Sequence, residues 1–435
     1  MLMLHISDIH FKAPDCLDPW MDPDASIRTR MMRDLGEQVR KLGEVGAILI
    51  GGDVAFKGAS EEYDTARGWI QQLSQISGCP KERVFVVPGN HDVDRGMIKK
   101  AVAIQNVQHA IASAPAGRRE WKLSQQLRDK LSGQNLFEPH AAYNEFAAPF
   151  NCQIWPDKPF WHQDVPLGGG VNLRLYGLTS TLLSGQEGED DKAGDLYLSP
   201  LQTVLNPVPN TINLVLVHHP IDWLFDGDAV DDALTSRAIL HLFGHKHRQR
   251  AVMEANYVRL GAGAVNPSRH VKPYDPGYNL IRLEVEGNGR DRRVKVEVHQ
   301  RRLQENPEMF VPIFAGQGKT VFESVIQLPE EAEIPRPDVI KPPAASAAGQ
   351  ADKAGEEIAA QDAEAALGDE DKRDLLYRFW SLKSGQRRDI VNELGLLEEG
   401  EMKLPEPERY GRALIRAGQR KLLDKVAAAV AKLEN

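Results

Sequence analysis

Five short apolar runs recur along the first part of the chain, at Leu2–Ile6, Ala47–Ile50, 84–87, 212–217 and 239–243. Each is followed at once by Ser, Gly, Pro or His, so each is cut off sharply. Runs of that length with such boundaries predict buried strands. Apolar and polar residues alternate over Gly277–Glu286 and 293–301, which predicts a hairpin closing the same domain. The turn Gly168-Gly169-Gly170 precedes a further strand at 171–178. Helical spacing appears instead over 97–112, 120–131 and 140–150, an insertion at 97–170 of the kind that forms active-site lids.

Beyond residue 370 the period is helical throughout. Leu375, Leu376, Phe379 and Trp380 form one stripe, and Ile390, Val391 and Leu394 a second, with Ser384 placed as its cap and Gly395 as its end. Tyr410, Leu414 and Ala417 mark a third helix, and Leu422, Leu423, Val426, Val430 and Leu433 a fourth. A small bundle with a thin core is expected over 371–435. Between it and the α/β part, residues 329–374 hold thirteen acidic against five basic side chains, eight of the nine net negative charges. Pro335, Pro337, Pro342 and Pro343 and an Ala, Gly and acidic run lie in the same stretch, so 329–370 is expected to be a linker. The remainder is nearly neutral, and charge therefore decides nothing about a nucleic-acid substrate.

No apolar stretch approaches the ~18 residues of a membrane span. The chain enters a strand without a signal-peptide pattern. Cys16, Cys79 and Cys152 are odd in number and widely spaced, with neither a disulfide framework nor a zinc spacing. A reducing cytoplasm is the expected location.

The residues just past the end of each apolar run carry the chemistry. They form five blocks, Asp8-Ile9-His10, Gly52-Asp53, Gly89-Asn90-His91-Asp92, His218-His219 and Gly244-His245-Lys246-His247. In layered α/β proteins ligands gather beyond the carboxyl ends of such strands, so the blocks are expected to share one pocket. Carboxylate, imidazole and amide donors in one pocket suit Mn, Fe, Zn or Ni better than calcium. Two such cations ~3.5–4 Å apart need an anionic bridge, and a carboxylate on the tight turn Gly51-Gly52-Asp53 provides one. Together they clamp phosphate oxygens and bring a bridging water's pKa into the neutral range.

In order and spacing the blocks resemble the calcineurin-like metallophosphoesterase superfamily over roughly residues 1–300. The resemblance implies a four-layer α/β/β/α sandwich over 1–328, carrying the helical insertion and followed by the small all-α bundle. It implies two divalent metal ions: Asp8, His10 and His247 on the first, Asn90, His218 and His245 on the second, and Asp53 shared. It places His91 at the leaving group and a metal-bridging hydroxide as the attacking group. Asp92 then either orients the imidazole of His91 or caps its own loop. Arg95 either reaches a substrate phosphate or forms a structural ion pair, with Lys57 a weaker candidate of the same kind. His219 reads as pocket wall rather than ligand. His5, His109, His140, His162, His241 and His270 read as packed or surface residues. Trp155, Phe160 and Trp161 either stack on a base or belong to the core.

Departures from better-known branches narrow the class. Purple acid phosphatases carry Tyr three residues after the bridging Asp, where this chain has Phe56. The serine/threonine phosphatases carry Asp-Arg-Gly where it has Phe56-Lys57-Gly58, and Glu where it has Asp92. The Asn-His-Asp and His-His-Pro forms are more similar to bacterial cyclic-nucleotide phosphodiesterases, and are also compatible with the superfamily's DNA nucleases. A nucleotide phosphodiester is the expected substrate, with a cyclic nucleotide narrowly ahead of nucleic acid. The competing class is a partner-binding protein with a structural metal site. The C-terminal helices are similar to adaptor modules appended to bacterial effector enzymes. Arg409, Arg412, Arg416 and Arg420 share one face of the third helix, and a protein partner, or a copy of the same module, is expected to bind through Arg409, Arg412 and Arg416.

Overall fold

The protein is described by a computed structural model covering residues 1–270, 274–328 and 369–434. In chain order its strands are β1 (Leu2–Ile6), β2 (Ala47–Ile50), β3 (Val84–Val86), β4 (Trp161–Gly168), β5 (Val171–Gly177), β6 (Thr211–Val217), β7 (Leu240–Phe243), β8 (Arg250–Met253), β9 (Val258–Gly261), β10 (Gly277–Glu286), β11 (Arg293–Glu305), β12 (Glu308–Pro312) and β13 (Phe322–Gln327). One sheet runs β12-β11-β10-β1-β2-β3, with β13 also beside β11. The other runs β4-β5-β6-β7-β9-β8. The two sheets face each other with helices outside, an α/β/β/α sandwich.

Strands β1, β2 and β3 are parallel, as are β5, β6, β7 and β9. All five apolar runs therefore sit in the parallel parts of the sheets. Strands β1, β2, β3 and β7 are buried at every position, as expected where both faces of a sheet are covered. Helix Ala25–Leu42 covers the first sheet through Ile27, Met31 and Leu35, and helix Ser60–Ser77 through Tyr63, Ala66, Ile70 and Leu73. A buried ion pair locks the former in place: Arg301 on β11 grips Asp34 with two bonds, of 2.6 and 2.9 Å.

The insertion is helical but more broken than its periodicity predicts. Helices run Arg95–Lys100, Val102–Ala112, Ala116–Arg128, Lys130–Phe137 and Ala141–Ala147. Asp129 splits the expected 120–131 helix, because its carboxylate accepts the Ser132 N–H at 2.8 Å and starts a new one. Trp155 and Trp161 are core residues, the latter donating its indole N–H to the Val86 carbonyl at 3.0 Å. Neither is free to stack on a base.

The C-terminal helices are Asp369–Ser381, Ser384–Glu393, Glu406–Gln419 and Leu423–Glu434, while the expected linker falls almost wholly outside the described residues. Ser384 does not cap its helix. Lys383 holds that position, and the Gln386 side chain accepts the Lys383 N–H at 2.9 Å. The module does not stand apart. Ala148 of the insertion belongs to its apolar core, Gly411 lies against the Trp155 ring, and Arg412 pairs with Asp157 at 2.6 Å. The arginine stripe is spent within the molecule, which corrects its expected availability to a partner. Arg409 donates to the Leu404 carbonyl at 2.7 Å, Arg416 to Glu401 at 2.8 Å and Arg420 to the Gly395 carbonyl at 3.0 Å.

Two histidines outside the motif blocks are held neutral. Burial pushes His140 and His241 down to about 4. Below their unfolded value of about 6.5 the unfolded chain takes up protons that the folded chain refuses, so stability falls as pH drops from there towards 4. The expected loss is on the order of 1–3 kcal/mol per histidine. Thermal melts between pH 7 and 4 should therefore show a steeper decline for the parent protein than for a His140→Gln/His241→Gln variant, and equal slopes would refute the assignment.

Candidate metal centre

Each motif block begins where a parallel strand ends and turns sharply. Asp8, His10, Asp53, His245 and His247 all take left-handed backbone conformations, with φ of 56, 52, 53, 68 and 54°. For residues with a Cβ this costs roughly 1–3 kcal/mol each, and Asp and His are among the types that tolerate it best. The turns also interlock. The Asp8 N–H donates to the Gly52 carbonyl at 3.0 Å and the Ile9 N–H to the Asp53 carbonyl at 2.8 Å. Gly89 passes so close to Asp53 that a Cβ there would sit 2.1 Å from the carboxylate Oδ1. Gly52, at φ 95°, would meet the Gly89 nitrogen and His218 Nδ1 at 2.7 Å.

These turns deliver seven donor side chains to one place. His247 Nε2 lies 3.1 Å from Asp8 Oδ1 and 3.4 Å from His10 Nε2. His10 Nε2 lies 3.9 Å from Asp53 Oδ2, and His218 Nε2 lies 3.3 Å from that same oxygen. Asn90 Oδ1 completes the other side, 3.1 Å from His218 Nε2 and 3.0 Å from His245 Nδ1. Asp53 thus stands between two groups of donors, Asp8, His10 and His247 on one hand and Asn90, His218 and His245 on the other.

The donor chemistry fits cations. His218 Nδ1 donates to the Gly51 carbonyl at 2.7 Å, so in the neutral ring Nε2 carries a lone pair. That lone pair faces the oxygens of Asn90 and Asp53, three acceptors converging on one point. Only a proton or a metal ion reconciles them. Electrostatics makes the same demand. Burial opposes charge on Asp8 and Asp53, yet the imidazoles of His247 and His218 hold both carboxylates below the ordinary range. Burial likewise opposes charge on His218 and His247, but Asp53 lifts the former to about 9 and Asp8 raises the latter. His10 and His245 are pushed down by burial, to about 4 and about 3, and offer bare nitrogens at neutral pH.

Around this cluster the catalytic candidates separate. His91 lies at its mouth, its ring stacked on Phe56 with centroids 4.9 Å apart. Its Nδ1 meets the Phe56 carbonyl at 2.9 Å, and its backbone N–H donates to Asp53 at 2.8 Å. Asp92 does not touch the imidazole. It accepts the N–H groups of Gly89, Ala55 and Val54 at 2.8, 3.0 and 3.3 Å, and the Tyr63 hydroxyl at 2.9 Å. It is the loop-capping carboxylate, tying the second block to the third. Arg95 is engaged by Asp190 and lies 4.0 Å from Asp191, which makes it a structural ion pair. Lys57 is exposed. His219 is fully buried, with Nδ1 2.8 Å from the Ser180 hydroxyl, and adjoins His218 and His245.

Sequence reasoning passed over two residues. Glu62, wholly buried, accepts the N–H groups of Phe56, Lys57 and Ala59 at 3.1, 2.9 and 3.2 Å and so shapes the loop after Asp53. Its place in the first turn of helix Ser60–Ser77 was the available signal. Trp223 presses on His245 with ring centroids 3.9 Å apart, and nothing in its local sequence marks it. A cleft of about 390 Å³ opens at His10, His91 and His247, with Lys12, Asp24 and Arg269 among its walls. None of its lining residues comes from the 97–170 insertion.

Residues 1–249 match the family model for calcineurin-like phosphoesterases, and residues 371–432 match that for a GTPase-associated adaptor domain. The uncharacterized metallophosphoesterase-like protein YydB of Bacillus subtilis (strain 168) is 22% identical over 291 residues, covering 62% of this chain and 54% of the relative. The chain thus spans about half the length of that curated relative. Among solved structures, Vps29 of Chaetomium thermophilum is 12% identical, with 76% of this chain and 100% of that one covered and a TM-score of 0.30. Vacuolar protein sorting 29 of Cryptosporidium parvum is 14% identical, with 75% and 98% covered and a TM-score of 0.32.

The contact between Gly89 and Asp53 gives a direct test. A Gly89→Ala variant should displace the Asp53 carboxylate and lose most of its bound divalent metal, as read by elemental analysis of the folded protein. Full metal content in that variant would show that Asp53 is not held by this close approach.

Proposed function

The chain belongs to the calcineurin-like phosphoesterase family, and from that premise we propose that it hydrolyses a nucleotide phosphodiester with two divalent cations. Asp8, His10 and His247 would hold one cation, Asn90, His218 and His245 the other, and Asp53 both. The observation that carries this reading is the position of Asp53, whose Oδ2 is within 4 Å of both His10 and His218. Bound there, the cations supply charge neutralisation at the phosphate and an acidified water. The protein's own contribution is orientation. His91 hydrogen-bonds through its Nδ1–H to the Phe56 carbonyl, so the proton for the oxygen of the departing alcohol would be carried on Nε2. The stacked Phe56 ring keeps the imidazole from turning.

The lining of the cleft bears on the substrate. A cyclic mononucleotide calls for a closed pocket, and the insertion that would have roofed one contributes nothing to the cleft walls. This favours a single-stranded oligonucleotide over a cyclic mononucleotide, reversing the order suggested by the motif forms. For residues 371–432, similarity to a GTPase-associated adaptor domain supports recruitment by a nucleotide-hydrolysing protein partner. Its docking site lies elsewhere than on the occupied arginine stripe.

Bis-p-nitrophenyl phosphate with added Mn²⁺ should be hydrolysed by the full-length protein. His91→Ala should lower kcat by roughly 10²–10⁴ while leaving two metals bound. Loss of metal from that variant would make His91 a ligand rather than a proton donor. Single-stranded DNA should be cleaved in preference to 3′,5′-cyclic AMP, and inert DNA beside rapid turnover of the cyclic nucleotide would reverse the substrate order.

A further inference from the structure

A second and larger cavity, of about 780 Å³, lies beside the last two motif blocks. Pro220, which follows His218-His219, and Gly244 and Lys246, which bracket His245, form the wall it shares with the metal centre. Leu224, Phe225, Phe243 and Val252 give it an apolar lining. Its size falls within the range of small-molecule sites.

The charges around it are unevenly spent. Lys246 is paired with Asp222, Arg259 with Asp231, and Asp226 with Arg119 at 2.9 Å. Asp228 lies in the first turn of helix Gly227–Arg237, where the helix dipole favours a carboxylate. Arg248 and Arg250 remain. Both are exposed, both line the cavity, and neither side chain has a hydrogen bond or ion pair among the described residues. Two unspent guanidinium groups over an apolar lining match a planar base carrying a phosphate. Arginine binds phosphate bidentately, and an apolar wall accepts the face of a base.

We infer that this cavity seats the nucleotide flanking the scissile phosphate, its base against the apolar wall of Leu224, Phe225 and Val252 and its phosphate on Arg248 and Arg250. The inference rests on the diesterase reading for its position in the substrate, but the cavity's affinity for a nucleoside monophosphate can be measured without catalysis. It would also explain a preference for a strand over a cyclic mononucleotide, which has no flanking unit to offer.

The experiment is calorimetric titration of the full-length protein with AMP in EDTA. Stripped of metal, the centre has no cation to coordinate phosphate, so binding reports on the cavity. Saturable binding is expected, weakened at least tenfold in Arg248→Gln/Arg250→Gln and at least tenfold for ribose 5-phosphate, which lacks the base. Both arginines are exposed, so the melting temperature of the variant should match the parent and certify its fold. Absence of AMP binding, or equal affinity in the variant, overturns the site. With Mn²⁺ restored, AMP should inhibit oligonucleotide cleavage competitively. A non-competitive pattern would make the cavity an effector site and overturn the flanking-nucleotide assignment. Failure of the parent protein to hydrolyse bis-p-nitrophenyl phosphate, beside intact AMP binding, would instead strike the diesterase reading alone.

Discussion

Asp8 and Asp53 are buried in full within reach of the same imidazole, that of His218, and the charge of Asp53 works against that of Asp8. Two carboxylates withdrawn from water cannot both stay ionised unless positive charge is supplied between them. Much of the local architecture answers that requirement. The backbone must leave each strand abruptly to aim the donors inward, which forces five residues into left-handed turns. Glycines must stand where the turns cross, because a Cβ at Gly89 would overlap the carboxylate. Asp92 and Glu62, themselves buried acids, spend their oxygens on backbone N–H groups and hold the crossing loops rigid.

Much of this was legible in the sequence because it depends on short-range rules. Apolar runs ending in Gly-Asp or Gly-Asn-His-Asp announce both a buried strand and a reactive turn, and β1, β2, β3, β6 and β7 lie where the runs predict. The parts that stayed hidden depend on contacts between distant segments. Asp92 offered two readings because adjacency to His91 in sequence says nothing about where its carboxylate points. The N–H groups of Val54 and Ala55, 38 and 37 residues away, decide that. Arg95 is equally ambiguous in sequence, because the Asp190 that holds it lies 95 residues on. The arginine stripe of helix Glu406–Gln419 reads as an open cationic face from periodicity alone. Its partners, Glu401, Asp157 and a series of helix-end carbonyls, come from other turns of the bundle and from the insertion.

The helical module is joined to the catalytic domain by more than sequence continuity. Helix Asp369–Ser381 lies on the segments at 81–83 and 148–150, the first of which leads directly into β3. The Val86 carbonyl on that strand takes bonds from Tyr143 at 3.1 Å and Trp161 at 3.0 Å. Strand β3 ends four residues before Asn90, so the module rests on the scaffold that positions the third motif block. A protein that engages the module therefore acts on a body packed against the metal-bearing strands.

The Asp8 carboxylate accepts the backbone N–H of His245, 237 residues further along the chain. A ribosome makes proteins from the amino end, so both carboxylates emerge long before the histidines that offset them. Until β7 and its following turn are made, the nascent chain carries a half-built centre with an excess of acid and left-handed turns unsupported by their partners. The first sheet faces the same delay, since β10, the neighbour of β1, is made later still. The full donor set is thus complete only once His247 has been made, and the helices from Asp369 onward follow it.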